Sequence, residues 1–163
     1  MTDILLALLD EAYDHRSWHG TNLRGALRGI TTDVAAWRPG RGRHNIWELA
    51  VHAAYWKYAV RRRLTGEPRG SFAFEGSNFW PRPVEGTAAE WRADLALLAN
   101  EHVQLRAAVA AGAAARWTRR APRSPFTYGA LVRGAAAHDL YHAGQIQLLK
   151  RLAADRMRPG RRR

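Results

Sequence analysis

The sequence predicts an all-α chain, a four-helix bundle with long connections. Three observations predict it: four segments with apolar residues at helical spacing, capping residues with Gly or Pro at their ends, and no stretch alternating with a two-residue period. At 163 residues the chain suits one domain with one core. Residues 1–155 are read as that domain, and the basic segment 156–163 as a disordered tail.

The first helix is expected over residues 3–30, where Leu5, Leu8, Leu9, Ala12, Leu23 and Leu27 keep helical spacing. Thr31, Thr32 and Asp33 interrupt it, and Asp33 is placed to cap a short turn through Trp37. RPGRGRHN reads as a loop. The second helix, IWELAVHAAYWKYAVRRRL, starts after Asn45, with Glu48 three residues on as in a capping box; Gly66 and Pro68 end it. The connection GEPRGSFAFEGSNFWPRPVEG holds four aromatics among Gly and Pro, so it is expected to lie over the bundle, with Phe79 and Trp80 near any site. Thr87 and Glu90 form a second capping box at the head of AAEWRADLALLANEHVQLRAAVAA. RWTRRAPRSPFT connects, and Thr127 caps the fourth helix, YGALVRGAAAHDLYHAGQIQLLKRLAA.

Composition narrows the function. Hydrophobic residues are 47% and charged residues 25%, as in ordinary globular proteins. No apolar run is long enough to span a bilayer, and the N-terminus is acidic where a signal peptide is basic, so a cytoplasmic protein without a membrane partner is expected. With no cysteine, a disulfide framework and any thiolate ligand are excluded; a metal site must use His, carboxylate or water. The net charge of +12 favours anionic partners. An Ala- and Arg-rich composition and a basic tail account for much of it, so a small anionic substrate is preferred to nucleic acid.

Histidines break the apolar stripe of the fourth helix, Leu131, Ala135, His138, His142, Gln145, Leu149 and Leu152. Residues four apart share a helix face, so His138 and His142 converge on one point, an arrangement that suits a divalent metal. His52, beside Leu49, Ala53, Trp56 and Val60 on the second helix, is placed to be a third ligand, with water completing the shell. Gln145 is placed either to bond a ligand imidazole or a metal-bound water, or to bridge helices. Gly144 offers close backbone approach. His15 and His19 form a second four-residue pair expected to point inward. His19 is the candidate catalytic residue, as a base, a water-orienting group or a substrate contact; a structural bond to a carbonyl is its alternative. Glu48 is preferred as a cap over a fourth ligand, His44 as a capping or solvated residue, His102 as a surface residue, and Asp139 as the partner of an arginine such as Arg133 or Arg24. Trp47, Trp56, Trp80 and Trp91 are candidates for a pocket mouth, although aromatics at helical spacing are more often core, Trp80 in the long connection being the exception. Arg61, Arg62 and Arg63 by default complement the helix dipole, with a carboxylate site as the alternative.

IWELAVH at 46–52, HDLYHAGQI at 138–146 and WRPG ahead of the second helix resemble the DinB-like family (DinB/YfiT-like metalloenzymes) over nearly the whole chain. The resemblance implies a four-helix bundle, often dimeric, holding a divalent ion such as zinc or nickel through His52, His138 and His142. It also implies a metal-dependent enzyme, a hydrolase or a transferase using a low-molecular-weight thiol. The alternatives are a non-catalytic metal- or ligand-binding dimer and, less favoured, a nucleic-acid-binding stress protein.

Overall fold

The structure, a computed structural model, describes residues 1–76 and 78–157. Six α-helices and no strand occur among the described residues: α1 (Thr2–Tyr13), α2 (Leu23–Leu27), α3 (Thr32–Ala36), α4 (Ile46–Thr65), α5 (Ala88–Ala110) and α6 (Tyr128–Met157). The four longer helices close a ring, in which α4 and α1 each pack against both α5 and α6. The all-α expectation is met. From residue 158 on, the expected tail lies outside the described residues.

The first predicted helix is two helices. α1 ends at Tyr13, residues 14–22 form a loop, and the chain turns through Gly20 at φ 101°, which no helix continues through. The Asn22 side chain secures this break: Oδ1 accepts from Gly25 N at 2.8 Å to start α2, while Nδ2 donates to the His15 carbonyl. At α3 the cap is Thr31, not Asp33; Asp33 sits in the first turn, where a carboxylate complements the helix dipole.

The other helix ends follow their capping residues. Asn45 Oδ1 accepts from Glu48 N at 2.8 Å, and Gly66 closes α4 at φ 82°. Thr87 and Glu90 complete a reciprocal capping box, and Thr127 Oγ1 accepts from Ala130 N. At α4 the expected box does not form, because the Glu48 carboxylate is taken by Arg38, His44 and the Arg82 backbone.

Two apolar clusters fill the ring. One joins Ile46, Trp47, Leu98 and Ile146 to α2 and α3; the other joins Leu5, Leu9, Leu105 and Val132. Each of these aliphatic side chains is fully or almost fully buried, which favours folding by about 1.5–3 kcal/mol per side chain. Trp47 and Trp91 are core residues, the role that helical spacing favours, and not pocket rims. Their rings meet edge-on, and their indoles donate to Asp94 Oδ2 and the Ile30 carbonyl. No helix among the described residues is long and apolar enough to cross a membrane.

Candidate metal centre

α4 and α6 bring three imidazoles to one point. His138 Nε2 lies 3.1 Å from His52 Nε2 and 3.0 Å from His142 Nε2. The four-residue spacing of His138 and His142 on an unbroken helix sets one pair, and the packing of α4 on α6 brings the third. These three residues form a group whose ligand atoms can hold a metal ion.

The orientation of two rings is set from behind. His52 Nδ1 donates to the Asn78 carbonyl at 2.6 Å, and His142 Nδ1 donates to Gln145 Oε1 at 2.7 Å. A neutral ring that donates through Nδ1 presents a bare lone pair at Nε2. Burial also keeps the rings neutral. It pushes the His52 pKa down to about 4 and that of His138 down to about 3, and it lowers that of His142. Two lone pairs held in place around a third imidazole nitrogen, in neutral buried rings, are a donor set suited to a divalent cation.

The long connection covers the triad, as the sequence suggests, through Phe79 as expected and through Asn78 rather than Trp80. Phe79 stands between two imidazoles, stacked on His52 at 3.9 Å and on His44 at 3.8 Å. Asn78 adopts φ 76°, a left-handed conformation Asn tolerates, and presents its carbonyl to His52. Trp80 turns elsewhere, donating to the Glu75 carbonyl and packing on Phe72 and Phe74. His44 is more than a capping residue. Its Nδ1 bonds Glu48 Oε2 at 2.9 Å, and it lines, with Arg43, Tyr141 and Gln145, a cavity of about 650 Å³ that is also lined by all three histidines of the triad. Burial raises the Glu48 pKa, but the bonds from Arg38, His44 and the Arg82 backbone outweigh it and hold it low. Glu48 is thus committed to that network and is not part of the metal-capable group.

Several sequence expectations change. His15 and His19 are exposed on the loop after α1, not inward on a helix, and neither joins the cavity around the triad. Gly144 faces open space, and Leu152 is exposed. Arg61 is buried and paired with Glu67 and Glu101.

His102 and Asp139 are buried as well, in a second polar cluster that charge patterning alone did not disclose. Lys57 Nζ donates to Asp139 Oδ2, lies 3.4 Å from His102 Nδ1, and sits 4.7 Å above the Tyr13 ring. His102 stacks on Tyr13 at 3.9 Å, and Asp10 beyond it is clasped by Arg106 through two bonds. Burial and the Lys57 ammonium push the His102 pKa down to about 3. The available signal was a lysine in AAYWKYAV, flanked by apolar and aromatic residues.

No curated protein and no solved structure matches the chain. A family comparison matches residues 15–146, a span that contains α2 to α5, all three histidines of the triad and Gln145. With that match and the helical ring around the triad, the chain belongs to the DinB superfamily.

Proposed function

We propose that this protein is a metal-dependent enzyme that holds a divalent ion, zinc or nickel, through Nε2 of His52, His138 and His142. The observation that carries the reading is the convergence of His52 Nε2 and His142 Nε2 to within about 3 Å of His138 Nε2, both of them aimed by Nδ1 bonds to Asn78 and Gln145. Gln145 here acts as the orienting partner of His142. A bound divalent ion supplies Lewis acidity toward a thiol or a water. The reaction favoured is transfer of a low-molecular-weight thiol to a small electrophile. Arg43 and the basic surface suit an anionic thiol, and Phe79 and Leu149 give the cavity an apolar wall. Hydrolysis is the second reading, favoured by the His44–Glu48 pair at the same cavity, where Glu48 holds Nδ1 and leaves Nε2 available as a base. His19 is exposed on the loop after α1 and does not line that cavity, so it is not preferred for that role. A homodimer is part of the reading, because exposed Tyr141 and Leu148 share one face of α6.

Elemental mass spectrometry of untagged protein tests the centre. About one equivalent of zinc or nickel is expected per chain, lost in His138→Ala while α-helical circular dichroism is retained. Wild-type protein that takes up neither ion when supplied with both overturns the reading.

A further inference from the structure

His138 lies at the meeting point of two cavities. Beside the one that contains the triad, a narrower groove of about 240 Å³ runs between α4 and α6. Trp56 and Val60 wall it on α4, Leu131 and Gly134 on α6, and His138 and Arg63 both line it. Trp56 stands at the triad end: its ring lies 6.0 Å from the His138 ring, and its indole donates to Asn78 Oδ1 at 3.2 Å. Arg63 follows seven residues later on the same helix face, about 10 Å along the axis.

The groove is apolar except at its ends, and the ends differ. One is the triad. The other is a half-buried guanidinium that makes no ion pair or hydrogen bond among the described residues, whereas its neighbour Arg61 has two carboxylate partners. A cation left unpaired beside apolar walls selects an anion at that distance from the triad. Gly134 lines the groove beside open space, since a Cβ there would meet no atom within 4 Å, so a larger side chain has room to enter it.

We propose that the site takes substrates with a metal-directed donor at one end, an apolar body of about 10 Å in the α4–α6 groove, and a terminal carboxylate on Arg63. The inference rests on the metal centre proposed above, and its test separates the two. Cobalt-loaded full-length protein is titrated with mercaptooctanoate, the neutral mercaptooctanol of equal length, and the short mercaptopropionate. Sulfur-to-cobalt charge-transfer absorption reports thiol binding. Mercaptooctanoate is expected to bind about tenfold tighter than mercaptooctanol. Arg63→Gln removes that difference. Gly134→Leu, which fills the groove with a better helix former, weakens both long thiols and leaves mercaptopropionate unchanged.

Equal affinity of the long acid and alcohol in the wild type, with charge-transfer absorption present, overturns the groove and leaves the metal centre standing. So does an acid preference that survives Arg63→Gln, which assigns it to the general basic field. A shift of oligomeric state by either variant in light scattering makes the groove a contact between two copies and also overturns the proposal. Failure to take up cobalt overturns the centre and this inference with it.

Discussion

Two buried polar clusters sit side by side between α4 and α6, and they resolve their electrostatics in different ways. His138 belongs to one and Asp139, the next residue, to the other. The Lys57 cluster carries its own counter-charges: Lys57 meets Asp139, and Arg106 meets Asp10. Among the described residues the triad carries none. Its three rings are neutral, and the groups behind them are a carbonyl and a side-chain amide, which orient the rings without supplying charge. A cluster that neutralises itself has a structural reason to exist. A cluster of converging lone pairs is completed by a cation from outside.

Neighbouring substitutions should therefore have opposite effects. His138→Ala removes the metal and spares the fold. Asp139→Asn leaves the Lys57 ammonium buried beside a neutral amide, at a cost of about 3–5 kcal/mol in urea unfolding, while the folded fraction keeps its zinc. Replacing both partners, Lys57→Met with Asp139→Leu, should recover most of the loss, since an apolar pair of similar volume needs no counter-charge. A loss below about 1 kcal/mol for Asp139→Asn would break the comparison, because the pair would then not need its charges.

Gln145 sharpens the same contrast from the triad's side. It is half-buried and bonds His142 Nδ1, so Gln145→Leu should leave unfolding unchanged but weaken zinc binding about 10–100-fold in a chelator competition. Unchanged zinc affinity would mean that α6 alone positions His142.

The sequence disclosed the triad and missed its neighbour for one physical reason. A histidine pair at four-residue spacing is informative only when the helix beneath it is unbroken. For His138 and His142 it is; for His15 and His19, with the same spacing, the helix ends at Tyr13 and both rings face solvent. The apolar pattern that resumes at Leu23 and Leu27 hid that break, because α2 packs against α6 and needs apolar residues of its own. Capping residues located the starts of α4, α5 and α6 because a cap is a local bond between neighbours in sequence. The Lys57–Asp139 bond spans 82 residues, and charged residues four or five positions along a helix ordinarily mark a solvated face. The composition of the connection pointed to Phe79, but Asn78 was beyond periodicity for a related reason: no helical or strand register governs a loop, and its position follows from the histidine it touches.

The smallest expected effect concerns His102, and it sets the two clusters apart by pH. Folding lowers the His102 pKa from 6.5 to about 3, through burial first and the Lys57 ammonium second; Asp10 and Asp14 oppose the shift, and Arg106 adds to it. The unfolded chain thus binds a proton there before the folded chain does. Stability is complete above about pH 6.5 and falls as the pH drops toward 3, the direction required when the unfolded state holds more protons. Between pH 7.5 and 5.5 the wild type should lose about 1 kcal/mol more than His102→Asn in urea unfolding. The triad histidines add acid sensitivity of the same sign in the metal-free protein, because their pKa values are lowered too. Saturating zinc should largely remove the triad's share, since ligands held by a cation resist protonation. His102's share should stay the same with or without zinc, because Lys57, not a metal, faces its Nδ1. If zinc abolished the difference between wild type and His102→Asn, the two clusters would be one electrostatic unit, and the boundary drawn between His138 and Asp139 would be wrong.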